Sequence, residues 1–129
     1  MVRPSELAIV LLLLGVTCIV ADPHEIANVS GSKGIQYMIE QSNDLPFDFF
    51  FMMPSCVPAT DFKDAGAILR SEDLSPFYKN AGVLGLAEVM NFHAVSIPDD
   101  DMMQKLIVAH QNEKKKNRWP CYGSNRTTA

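Results

Sequence analysis

Apolar residues fall in short dense blocks separated by polar, proline-bearing stretches, and the blocks alternate between strand-like and helix-like spacing. The first, Leu7–Ala21 (LAIVLLLLGVTCIVA), follows Arg3 and stops at Asp22. One reading takes it as a secretory signal, with a basic start, an apolar middle and a small residue before a cut. It is short of the roughly 20 apolar residues of a membrane span. A second reading breaks it at Gly15. Pro4 suits a first helical turn, and Ser5 and Glu6 suit its positive end. Leu7–Leu14 is then buried helix and Gly15 a left-handed residue just past its end. Val16–Val20 (VTCIV) is rich in β-branched residues and predicts a buried strand, ended by Asp22-Pro23. Glu6 counts against a signal.

The remaining chain keeps this rhythm. Ser32–Asn43 puts Ile35, Met38 and Ile39 on one helical face. Leu45-Pro46 interrupts, and Phe47–Met53 (FDFFFMM) predicts a second strand. Pro54–Thr60 is a loop with two prolines. Ser71–Asn80 predicts a short helix interrupted by Pro76. Val83–Ala87 (VLGLA) predicts a third strand ending at Glu88. Asp99–Gln111 predicts a helix with an acidic first turn and Leu106 and Ile107 inside. The strands recur at about the thirty residues of a βαβ unit. Near-continuous apolar strands alternating with helices imply an α/β fold whose parallel sheet is covered on both faces. In such folds the chemistry lies beyond the C-terminal strand ends.

Composition narrows the classes. At 129 residues the chain is one domain at most. With 47% hydrophobic and 20% charged residues it is globular, and a net charge of −4 excludes a broadly basic nucleic-acid footprint. Cys18, Cys56 and Cys121 are widely spaced and odd in number, which argues against a disulfide framework or a metal clip. There is no glycine-rich phosphate loop, HExxH motif or internal repeat.

Polar clusters stand at the three strand ends: Asp22-Pro23-His24-Glu25, Pro54-Ser55-Cys56, and Glu88 followed by Asn91. A surface turn accounts equally for His24 and Glu25. Cys56 is a nucleophile only with a nearby base, and none is indicated by spacing; a buried structural thiol is the plainer reading. Glu88 is the sharpest feature, because a carboxylate between an apolar strand and Val89-Met90 is expected to be partly buried and to need a cation, metal or several donors. An ordinary capping or ion-paired glutamate fits the same spacing. His93 and His110 lack partners at metal-ligand spacing. The basic run Lys114–Lys116 fits a solvated helix end.

The stretches ADPHEIANV (Ala21–Val29), GIQYMIE (Gly34–Glu40), FFMMPSCVPAT (Phe50–Thr60) and GLAEVMNF (Gly85–Phe92) resemble bacterial and archaeal adenine deaminases, in the same order and spacing. The resemblance covers roughly Met1–Ala109. It implies a metal-dependent amidohydrolase on a (β/α)8 TIM-type barrel. The three strands would be consecutive barrel strands, the second to fourth, and Met1–Leu14 the helix before them rather than a signal. The implied partition is a partial barrel over 1–113, about three βα units, and a non-family tail over 114–129. The implied reaction is hydrolytic deamination of adenine to hypoxanthine and ammonia, in purine salvage, by hydroxide held on two divalent metals, manganese or iron. Glu88 would bind or bridge those metals. His24, Glu25, Ser55, Cys56 and Asn91 would line the same mouth. Also implied are adenine as the small-molecule partner, no nucleic acid, no membrane, a homo-oligomer and a cytoplasmic location. The chain departs from the pattern: the HxH metal pair, a Gly-His-Ala motif and further His and Asp ligands are missing, and His93-Ala94 stands where a Pro-Gly pair is usual.

The segment NRWPCYGSNRTTA after Lys116 has no period and no such resemblance. Trp119-Pro120 is encoded TGG-CCN, which one nucleotide later forces a glycine codon, and allowed codons restore the Gly-His-Ala motif. The expectation is a single-base frameshift. Three strands of eight cannot close a barrel, so the chain alone is expected to be inactive and prone to aggregate. Two competing classes make different predictions. A small secreted binding protein would begin near Asp22 and carry glycans on Asn28 and Asn125. A thiol hydrolase using Cys56 would respond to alkylation and not to chelators.

Overall fold

The computed structural model describes residues 2–58, 66–89 and 100–116. Helix α1 (Pro4–Leu13) opens with its proline in the first turn and ends at Leu14. Gly15 follows at φ +79°, its N–H donating to the Leu12 carbonyl while the Val16 N–H reaches the Leu11 carbonyl, both at 3.0 Å. This pair of bonds is the Schellman motif that a left-handed glycine permits, so the apolar run divides at Gly15. Strand β1 (Cys18–Ala21) follows.

Helix α2 spans His24–Ser42 and begins earlier than the apolar periodicity predicts. His24 and Glu25, expected in a loop, form its first turn. The cause is local: the Asp22 carboxylate accepts the His24 N–H at 3.1 Å, and the Ala27 N–H closes onto the Pro23 carbonyl at 3.0 Å. Gly31, at φ 62° and ψ −146°, bends the helix. A side chain there would also meet the Ala67 Cβ at 3.2 Å. Beyond the bend Ile35 and Ile39 are buried, and Met38 packs against the same core.

Strand β2 (Asp48–Met53), helix α3 (Ser71–Leu74) with a 3-10 turn over Ser75–Lys79, strand β3 (Val83–Leu86) and helix α4 (Asp100–Gln111) complete the predicted elements. The short helix tightens to 3-10 geometry where Pro76 enters. One element is new. Lys115–Lys116 forms strand β4 beside β3, so the basic run is not a solvated helix end. Lys114 leads into it, and its Nζ donates to the Val83 carbonyl at 2.7 Å.

The four strands lie in the order β1-β2-β3-β4, all parallel. Crossovers between parallel strands are right-handed as a rule, and in this sequential order that rule carries the described connecting helices to one face, the arrangement of a barrel wall rather than of a doubly wound sheet. That face holds the core: Phe51, Met53 and Val83 are buried against Ala27, Ile35, Ile39 and Ala109. The opposite face is also apolar, yet Phe50 and Met52 are only half-buried and Val20 is exposed. Apolar strands of this kind need cover on both sides, and barrel closure provides it for the second face. The α/β, partial-barrel expectation stands.

Helix α4 turns a different face inward from the one its apolar residues suggest. Its buried positions are Met102, Lys105 and Ala109. Leu106 lies at the core's margin, and Ile107, expected inside, is 41% exposed. Two positions from Lys105 is roughly 200° around a helix, so burying Lys105 turns Ile107 outward. Among the described residues no helix is long and apolar enough to cross a membrane.

Candidate functional site at the C-terminal strand ends

Because the strands are parallel, the polar clusters that follow them gather at one end of the sheet. Ala21 sits opposite Phe51, and Met53 opposite Leu86. Asp22-Pro23, Pro54-Ser55 and Ala87-Glu88 therefore emerge side by side. A register shift between Phe51 and Met52 skips one residue of β3. Such irregularities commonly re-aim the residues beyond them.

Asp22 and His24 form a pair at the end of β1, with Nδ1 of His24 3.3 Å from Oδ2 of Asp22. That nitrogen is itself buried and makes no hydrogen bond of good geometry. Burial pushes the Asp22 carboxyl above its ordinary range, His24 pulls it back, and the negative charge of Glu88 adds to the rise. Glu25 points to solvent.

Ser55 and Cys56 are buried, at 1% and 6% exposure. The Ser55 hydroxyl donates to the main-chain carbonyl of Glu88 and lies 3.3 Å from the Cys56 sulfur. Glu88, expected to be partly buried, is exposed. The fold holds its main chain: the Ala87 N–H reaches the Met53 carbonyl at 2.7 Å, and the Ser55 hydroxyl donates to the Glu88 carbonyl. The carboxylate is left free beyond the strand. Asn91 and His93 lie outside the described residues, as does the tail after Lys116. His110 is exposed in the last turn of α4.

Lys105 escaped the sequence reading. It is 5% exposed, and its ammonium donates to the carbonyls of Leu69 (2.7 Å) and Ser55 (3.1 Å). Its charge is met by Asp101 at 2.8 Å. Burial alone would raise the Asp101 carboxyl, but the bonds from Lys105 and from the Ser71 N–H prevail and hold it below the ordinary range. A signal existed in the i, i+4 pairing of Asp101 and Lys105. Only the fold shows that the pair is turned inward.

The chemistry on offer at this end is anionic. Among the described residues no three His, Cys, Asp or Glu side chains converge in a metal-binding arrangement. These residues alone therefore do not fit a metal centre, and Glu88 offers one anionic oxygen towards such a set.

The model of the Amidohydrolase family matches residues 2–117. The chain is 53% identical to the adenine deaminase of Bacillus velezensis over 115 residues, 89% of this chain and 20% of that protein. It is 52% identical to the adenine deaminase of Bacillus subtilis with the same coverage. For the adenine deaminase of Listeria monocytogenes the identity is 48% over 129 residues, all of this chain and 22% of that protein. The chain spans about a fifth of the length of the curated relatives it matches. The family match takes in every described element from α1 to β4, and the chain belongs to the amidohydrolase family.

Proposed function

We propose that this chain is the segment of an adenine deaminase that supplies a wall of the catalytic barrel and the carboxylate of Glu88. The observation that carries this reading is the identity of about half its residues with proteins named adenine deaminase across nearly all of its length. The reaction is hydrolytic: water replaces the exocyclic amino group of adenine, giving hypoxanthine and ammonia, a step of purine salvage. The amidohydrolase family generally uses a divalent metal. Two ions, manganese or iron, are proposed here, with Glu88 as one of their ligands. A hard anionic oxygen at a strand end suits such an ion.

The other polar residues divide by exposure. His24, paired with Asp22, and the exposed Glu25 are proposed to meet the substrate, and Asn91, which lies outside the described residues, is proposed to share that role. Ser55 and Cys56 are proposed to act from beneath, since both are buried. The whole enzyme is proposed to be a cytoplasmic homo-oligomer acting on adenine, without nucleic acid or membrane as partner.

A transplant tests the reading. Residues 2–117 replace the aligned segment of the Bacillus subtilis adenine deaminase, and ammonia release is measured with adenine, guanine and cytosine. The expected result is release from adenine alone, reduced at least ~100-fold by Glu88→Gln, a loss at the upper end of what disturbing groups around a metal produces. A folded transplant inactive on adenine contradicts the reading. The 129-residue chain by itself is expected to release no ammonia.

A further inference from the structure

We infer that Ser55 and Lys105 are positioning residues for Glu88, linked to it by a buried chain of hydrogen bonds running from α4 through the loop after β2. This inference rests on the reading of Glu88 as the functional carboxylate.

The β2–β3 ladder runs out at the Ala87 N–H, which donates to the Met53 carbonyl at 2.7 Å. The next residue of the β2 chain is Pro54, which has no N–H to donate. At this point the Ser55 side chain takes over, its hydroxyl donating to the Glu88 carbonyl. A side-chain bond thus fixes the main chain of the residue whose carboxylate projects from the strand end.

Ser55 is held in turn. Its carbonyl accepts from Lys105 Nζ at 3.1 Å, and the same ammonium bonds the Leu69 carbonyl at 2.7 Å and Asp101 at 2.8 Å. Asp101 then accepts the Ser71 N–H at 2.9 Å. The ammonium's three donors are all used, and an uncompensated buried charge would be costly. The loop after β2, the segment entering α3, and α4 are therefore tied at one point, which shares Ser55 with the bond that holds Glu88. A long cationic side chain turned into an apolar core is accounted for by this tie. Groups that orient a functional ligand from behind typically change function 10–100-fold when removed.

The test uses the transplanted enzyme and four variants. Ser55→Ala removes only the hydroxyl. Val57→Ala, in the same loop and equally buried at 4% exposure, removes packing without touching the chain of bonds. Lys105→Met removes the tie while keeping the apolar stem. Positioning predicts that Ser55→Ala lowers kcat about 10–100-fold with KM within about twofold. It also predicts faster deuterium exchange confined to the peptide Val83–Val89. Val57→Ala is expected to lower the melting temperature while leaving kcat per folded molecule within about twofold. Ser55→Thr, which retains the hydroxyl, should recover most of the kcat.

Should Lys105→Met fail to fold, Ser55→Ala carries the test alone. Equal kcat values in Ser55→Ala and Val57→Ala would overturn the inference. An unsubstituted transplant that is folded but inactive would refute the proposed function instead. Exchange at Val83–Val89 would then still report whether Ser55 fixes this segment, and unchanged exchange in Ser55→Ala would overturn the positioning.

Discussion

The two faces of the sheet are built from the same kind of residue and have different fates. Along β2, Phe51 and Met53 point to the helices and are buried, whereas Phe50 and Met52 point the other way and are half-covered. Along β1, Ala21 joins the helix-side core while Val20 stays exposed. Ordinary amphipathic strands would carry polar residues on the uncovered face. Apolar residues on both faces therefore record a structure in which the second face is closed by further strands, and the sequential parallel order identifies that structure as a barrel.

The largest effect expected from this contrast separates two neighbouring phenylalanines. In the transplanted barrel, Phe51→Ala and Phe50→Ala should each destabilise by about 3–5 kcal/mol, because both rings are then enclosed. In the 129-residue chain, Phe51→Ala should keep that cost and Phe50→Ala should fall to about 1–2 kcal/mol, since half its surface is already wet. Equilibrium unfolding in urea, at concentrations low enough to keep the short chain from aggregating, checks both, and equal costs in the short chain would break the comparison.

Beneath the covered face, Lys105→Met is expected to cost about 2–3 kcal/mol, because the carbonyls of Ser55 and Leu69 lose their donor while buried. A third contrast concerns two glycines with positive φ. Gly31 directs the second half of α2 onto the covered face at φ 62° and ψ −146°, with Ala67 at 3.2 Å from a built Cβ. Gly31→Ala should cost about 2–3 kcal/mol by backbone strain and contact. Gly15 has open space around it, so Gly15→Ala should cost only about 1 kcal/mol through its left-handed backbone.

The smallest effect is a pH dependence. The Asp101 carboxyl is held below its ordinary value when folded. Its contribution is therefore complete above the unfolded value of about 3.9 and fades as pH falls through the lower folded value. The stability gap between the wild type and Asp101→Asn should stay constant from pH 7 to 5 and narrow below about pH 4. Thermal melts of the two proteins in parallel would show it.

Much of this fold is legible in the chain. The β-branched run after Gly15, the phenylalanine block at Phe49–Phe51 and the VLGL segment each mark a strand to within two residues of its bounds. Pro4 and Gly15 punctuate α1 by mechanisms that need only local geometry. What escaped depends on contacts distant in sequence. Nothing near Lys105 announces that its partners are carbonyls 36 and 50 residues away. The main chain of Glu88 is held by a hydroxyl 33 residues earlier. The start of α2 was hidden because its cap residue is Pro23, and the first N–H, that of His24, is taken by the Asp22 carboxylate. Strand β4 carries the polar pair Lys115–Lys116, and only pairing with β3 makes it a strand.

The central claim is that this wall of apolar strands presents Glu88 to an adenine-deaminating centre. Its most direct test is ammonia release from adenine by the transplanted enzyme, with and without Glu88→Gln. The account predicts release that falls at least ~100-fold in the variant. A folded transplant that releases no ammonia, or a Glu88→Gln enzyme as active as its parent, would contradict it.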